Sequence, residues 1–191
     1  MTITTSPATS DRWNDVVTAF GRRGDDPNSC WCQRFMKPQL DETGVSSNRD
    51  ALRREIEHAS IAPGIVAYVD GTPAGWSRVM PRAAVALVQA NRALRRILED
   101  DPSAWWITCF VVDRRYRGMG VATALLNAAV GYARDHGASA LEGHPVDTDA
   151  LYAERVEASA LFTGTMRTFV AGGFREIGRT YPSRPVMRVE L

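Results

Sequence analysis

Apolar positions along the chain change period several times, and the changes mark out the elements. Trp105-Trp106-Ile107-Thr108-Cys109-Phe110-Val111-Val112 is an unbroken apolar run, rich in aromatic and β-branched residues, with the length of a buried strand. After Asp113 to Gly120, a basic turn with two glycines, Val121, Leu125, Ala128, Ala129 and Tyr132 recur at helical spacing until Gly137. Upstream, Trp13, Val16, Val17 and Phe20 predict a helix that starts at Asp11 and stops at Gly21 and Gly24. Ser47 with Asp50 makes a capping pattern before Leu52, Ile56 and Ala59, a second helix broken at Pro63-Gly64. Ile65 to Val69 and Ala74 to Met80 flank Asp70-Gly71-Thr72-Pro73 and predict a hairpin. Leu87, Leu94 and Leu98 predict a helix over Ala84 to Leu98.

The remaining segments are shorter. Ala138 to Val146 reads as a strand, Thr163 to Ala171 as a helix closed by Gly172-Gly173, and Phe174 to Thr180 with Val186 to Leu191 as a final strand pair. Cys30 to Met36 reads as an edge strand ended by Pro38. Asp147 to Ala160 is acidic and reads as a loop over the site, and residues 1–10, polar and rich in Ser and Thr, are expected to be loose.

The basic turn carries the chemistry. The first amides of a helix lack intrahelical partners, and the helix dipole adds positive charge there, so an anion is favoured. Gly118 and Gly120 let a polyphosphate approach the backbone, while Arg115 and Arg117 can add charge-assisted hydrogen bonds of roughly 1.5–3 kcal/mol each. A dinucleotide fingerprint needs a further glycine where Thr123 stands, and a Walker-type loop is excluded because the sole lysine, Lys37, follows no such glycine pattern. What fits is Arg-x-x-Gly-x-Gly, on Arg115, Gly118 and Gly120, repeated in register as Arg117-x-x-Gly120-x-Ala122.

This pattern resembles the pyrophosphate loop of the GNAT superfamily of N-acetyltransferases. Phe169-Val170-Ala171-Gly172-Gly173-Phe174 is similar to the family's aromatic-x-x-x-Gly-Phe segment, and the resemblance spans about Ile65 to Leu191. It implies an α/β (α+β) fold, a mixed, mainly antiparallel sheet flanked by helices and splayed at the central strand, with acetyl-coenzyme A as cosubstrate and an amine acceptor, small molecule or peptide. It further implies cofactor contacts from Phe110, Val111, Val112, Arg115, Arg117, Gly118, Met119, Gly120, Val121, Ala122, Thr163 and Phe169. Family members are often homodimers.

Composition sets the bounds. A chain of 191 residues, 45% apolar, suits one globular domain over 1–191. A formal net charge of +1 gives no general attraction to nucleic acid, and no stretch approaches a membrane span, so a cytoplasmic protein is expected. Of 23 basic residues only Lys37 is a lysine, an excess of arginine that reads as the coding bias of a GC-rich bacterial genome. Cys30, Cys32 and Cys109 are too few for a disulfide framework and lack a second ligand pair at metal spacing, so no metal is expected; Cys30 and Cys32 are expected to line a strand or turn beside the cleft.

Amide formation from a thioester needs a neutral amine and a donor for the oxyanion. The run Trp105 to Val112 holds no carboxylate or imidazole. Glu142 and His144 share a strand face two residues apart, so Glu142, with His144 nearby, is the candidate base. The competing reading has Glu142 paired with an arginine and His144 filling a polar gap. Many relatives carry a tyrosine as general acid where Phe169 stands, leaving Thr163, Thr165, Tyr152, Tyr181 or water. That gap motivates one rival, a non-catalytic acyl-coenzyme A-binding module.

Overall fold

The computed structural model describes residues 1–36, 46–151 and 161–191. Strands β1 (Ile3–Pro7), β2 (Gly64–Val69), β3 (Thr72–Pro81), β4 (Trp105–Val112), β5 (Ala140–Gly143), β6 (Arg175–Tyr181) and β7 (Arg184–Glu190) form one sheet in the order β1-β2-β3-β4-β5-β7-β6. All neighbours are antiparallel except β4 and β5. Helices are α1 (Trp13–Phe20), α2 (Asn48–His58), α3 (Ala86–Ala90), α4 (Arg92–Arg95), α5 (Val121–Asp135) and α6 (Met166–Ala171).

The apolar stripe of α5, Val121, Leu125, Leu126, Ala129 and Ala133, is buried against one face of the sheet. Gly75 on β3 permits that approach, because a Cβ there would stand 2.8 Å from Val121 Cγ1. On the other face Trp13, Val16 and Phe20 of α1 and Leu52 and Ile56 of α2 enclose Trp31 and Trp76. The hairpin turns on Asp70 and Gly71, both at positive φ (47° and 80°), and the Ser47 hydroxyl caps α2 by accepting from the Asp50 amide.

Two features of β4 shape the site. Opposite Arg78 and Val79 of β3 stand Cys109 and Ile107, so Thr108 is an extra residue, a β-bulge. The bulge resets the alternation: Trp105, Ile107 and Phe110 all face α5, while Cys109 and Val111 face α1 and α2. In addition, β4 and β5 pair only through Trp105↔Leu141, Trp106↔Glu142 and Ile107↔Gly143, and beyond Ile107 the two strands part.

Four expectations are corrected. Residues 1–10 are not loose: β1 pairs with β2 along its whole length, because Ile3 reaches the core and threonines suit an edge strand. The segment from Cys30 forms turns instead of a strand, and Cys32 is joined to Cys109 by a disulfide, Trp31 and Cys32 adopting positive φ. Its expected end at Pro38 falls outside the described residues, as do residues 152–160 of the acidic loop. The helix over Ala84 to Leu98 is broken at Asn91, whose side chain leaves the helix path to accept from the Ala93 and Leu94 amides at 2.9 and 3.1 Å. Finally, the strand expected to reach Val146 ends at Gly143, and Val146 keeps only a bridge to Thr165.

Candidate active site

The basic turn is built by its own side chains. Asp113 accepts from the Arg115 amide at 2.9 Å and from the Arg115 guanidinium at 3.0 and 3.2 Å, and the arginine holds this carboxyl below its ordinary range. Gly118 and Gly120 have φ of 76° and 87°, left-handed conformations that glycine adopts without strain. Gly120 caps α5, and the first intrahelical bond runs from the Ala124 amide to its carbonyl at 2.9 Å. The amides of Val121, Ala122 and Thr123 therefore precede the helical ladder, at the positive end of the dipole. Arg117 folds back so that Nε donates to the Val112 carbonyl at 3.4 Å.

This turn forms one wall of a cavity of about 730 Å³. Val111, Val112, Arg114, Arg115, Arg117 and Ala122 line it on one side. Gly21, Arg22 and Arg23, which follow α1, contribute two further guanidinium groups, and Phe162, Gly164 and Thr165 close it. Arg22 and Arg23 lie about 90 residues before the motif, and only the packing of α1 on β3 and β4 brings them there. Nothing in the local sequence pattern signals that meeting.

The expected cofactor residues divide. Gly118, Met119 and Gly120 are exposed and Val121 is in the core, and none of the four lines either cavity. Where β4 departs from β5, the Asp113 amide still donates to Ala74 on β3, so by strand alternation Val112 and Phe110 point their amides into the gap. The Phe110 amide is already engaged, donating to the Phe162 carbonyl at 2.6 Å. Phe169 lines neither cavity: it is 0% exposed, edge-on to Phe110 and Phe174, in space that Gly143 leaves, since a Cβ there would meet the ring at 2.5 Å. Without a hydroxyl, this ring gains most from core packing. Thr163 also moves, to a second cavity, with its hydroxyl accepting from Arg184 Nη1 at 3.1 Å.

That second cavity, of about 350 Å³, lies beside the β4 bulge. The broken helical segment α3–α4 forms one wall, with Trp106, Ile107, Thr108, His144 and Thr163 opposite. Phe162 and Thr163 run between the two cavities.

Both residues of the candidate base pair are in contact with arginines. Glu142 is 0% exposed and lines no cavity; its two oxygens accept from Arg82 Nη1 and Arg188 Nη1, each at 2.7 Å. Arg188 also binds Asp101, at 2.8 Å, and Arg82 donates to the carbonyls of Glu99 and Asp101. The shared strand face does set Glu142 and His144 side by side, but Arg82 and Arg188 close that face over the glutamate. His144 does line the second cavity. Its Nδ1 lies 3.4 Å from Arg184 Nη2, which can only donate, so Nε2 carries the proton and donates to Thr180 Oγ1 at 2.7 Å.

Burial, with the Arg184 charge beside it, pushes the His144 pKa down from 6.5 to about 4. Between those two pH values the unfolded chain binds the extra proton, so stability that is complete above pH 6.5 falls as pH drops toward 4. His144→Gln is expected to remove this part of the acid-side loss, read as a smaller difference between denaturation midpoints at about pH 7 and about pH 4.5.

Among the described residues no group of three or more His, Cys, Asp or Glu could hold a metal, and no helix is long and apolar enough to cross a membrane. His58 and His136 bond their own helices through Nδ1, to the Arg54 and Tyr132 carbonyls.

A sheet that splits after the third β4–β5 pair, with a glycine-freed helix terminus and arginines at the mouth of the split, is the frame of an acyl-coenzyme A-dependent transferase. The chain belongs to the acetyltransferase (GNAT) family, whose model matches residues 27–155, and it is an acetyl-coenzyme A-dependent acetyltransferase. Among solved structures it is similar in fold to a polyamine N-acetyltransferase from Drosophila melanogaster (13% identity, TM-score 0.58, 100% of each chain). It is similar also to a GNAT acetyltransferase from Listeria monocytogenes (11%, 0.56, 99% of this chain and 95% of that one). A third likeness is to the PaiA N-acetyltransferase from Thermoplasma acidophilum in complex with coenzyme A (10%, 0.54, 100% of each chain). No curated protein sequence matches the chain.

Proposed function

We propose that the enzyme transfers the acetyl group of acetyl-coenzyme A directly to a primary amine while both are bound. The observation that carries this reading is the larger cavity, which opens beside the split between β4 and β5 and is lined by Ala122 at the start of α5 and by five arginines. In it the diphosphate lies on the amides of Val121 to Thr123, and the pantetheine arm runs along Val112 and exchanges with Phe162 for the Phe110 amide. The amine nitrogen forms a bond to the thioester carbon, the carbon–sulfur bond breaks, and the proton lost by nitrogen ends on the thiol of coenzyme A.

With Glu142 and His144 committed elsewhere and Phe169 lacking a hydroxyl, the proton travels through water. Rate enhancement then comes chiefly from juxtaposition, which can supply about 7–11 kcal/mol. Gly120→Val tests the cradle: a β-branched residue at φ 87° costs roughly 1–2 kcal/mol of strain and crowds the diphosphate. Calorimetry with coenzyme A is expected to show affinity weakened by about 10–100-fold, since about 1.4 kcal/mol corresponds to tenfold. An unchanged affinity would place the diphosphate elsewhere.

A further inference from the structure

Five guanidinium groups line the cavity of about 730 Å³, and Asp113 brings the only carboxylate among the described residues that line it, so the wall carries a surplus of four positive charges. Asp113 is taken up by Arg115, and Arg117 donates to the Val112 carbonyl. Among the described residues the side chains of Arg22, Arg23 and Arg114 make no ion pair and no hydrogen bond. Like charges gathered without counter-charges, between apolar walls such as Phe20, Phe110 and Phe162, focus a field that an anionic ligand relieves. The charges come from two sides. Arg114, Arg115 and Arg117 belong to the turn ahead of α5, whereas Arg22 and Arg23 follow α1. Gly21 seats the end of α1 against that turn: its φ is 54°, and a Cβ there would stand 3.0 Å from Asp113 Oδ2.

We infer that Arg22 and Arg23 hold the ribose 3′-phosphate of coenzyme A, and that they make the enzyme select the 3′-phosphorylated cosubstrate over its dephospho form. The inference rests on the diphosphate cradle proposed above. Coenzyme A carries about two negative charges on its diphosphate and about 1.5–2 on the phosphate monoester, close to the surplus on the wall. The α5 amides, with Arg115 and Arg117, answer the diphosphate. The monoester is the anionic group that remains, and the guanidinium groups after α1 are the positive charge that remains on the facing side, with Arg114 adding to the field. A phosphate monoester offers about three acceptor oxygens, enough for two planar guanidinium forks, and such charge-assisted pairs are the strong ones. Arg22 and Arg23 bind the nucleotide end of the cosubstrate and take no part in moving the acetyl group or the proton.

The test is calorimetry on the full chain with coenzyme A and 3′-dephospho-coenzyme A as titrants, which requires no acceptor. The parent protein is expected to bind coenzyme A about 10–100-fold more tightly than the dephospho form. Arg22 is exposed and Arg23 half-buried, so the double variant Arg22→Gln/Arg23→Gln is expected to fold. In it the preference is expected to drop below about threefold, through weaker binding of coenzyme A, while affinity for the dephospho form stays within about twofold of the parent value. Arg22→Lys/Arg23→Lys, which keeps the charge and loses the forks, is expected to fall between the two. An equal loss for both titrants would put these arginines on the diphosphate; that result, or a parent protein that binds the two titrants alike, overturns this inference and leaves the cradle standing. Failure of coenzyme A to bind the parent protein overturns both.

Discussion

Glu142→Ala is expected to destabilise the protein by about 3–5 kcal/mol, the usual cost of removing one partner of a buried ion pair. Two arginines, Arg82 and Arg188, both buried and both directed at the missing carboxylate, would then keep their charge with Asp101, Glu190, the more distant Glu99 and carbonyl oxygens to compensate. Urea denaturation measures the loss. Glu142→Gln keeps the shape and some of the hydrogen bonds, so enough folded protein is expected to assay turnover. Per folded molecule its pH–rate profile is expected to match that of the parent enzyme, because the glutamate lines neither cavity. A profile that loses its acid-side limb in the glutamine variant would return Glu142 to the role of general base.

Reduction of the Cys32–Cys109 disulfide is expected to cost roughly 2–4 kcal/mol, since a crosslink acts largely by restricting the unfolded chain. The bridge spans 77 residues, a long loop for such a restriction. For a chain of this length each kcal/mol lowers the melting temperature by about 2–4 °C. Scanning calorimetry with and without dithiothreitol reads the difference, and Cys109→Ser is expected to reproduce the reduced value. An identical transition in both states would mean that the denatured chain gains no freedom from the cut.

Glu142 and its neighbour His144 also show where sequence reasoning stops. Strand β4, the glycine turn and α5 are consecutive, so their apolar period, positive-φ glycines and cap are all local signals, and all are legible. The same holds for the Asp70-Gly71 hairpin and the Ser47 cap. The period of a strand is enough to put Glu142 and His144 on one face, but what covers that face comes from Arg82, 60 positions upstream, and Arg188, 46 downstream. No window holds all three. Arg22 and Arg23 reach the cleft by the same kind of long-range packing.

Other misses come from short or weak local signals. Residues 1–10 alternate too little to announce an edge strand, and Asn91 interrupts a leucine period that reads as continuous. The bulge at Thr108 leaves no trace in an apolar run of otherwise plain strand character, because an extra residue is defined only against the partner strand.

The order of strands has a further consequence at the sheet's two margins. β6 presents Arg175, Glu176 and Arg179, and β1 ends on Pro7, whose nitrogen has no hydrogen to donate. A strand from another molecule laid against either rim would meet charge on one side and a missing donor on the other. Both margins thus carry residues that disfavour the addition of a further strand.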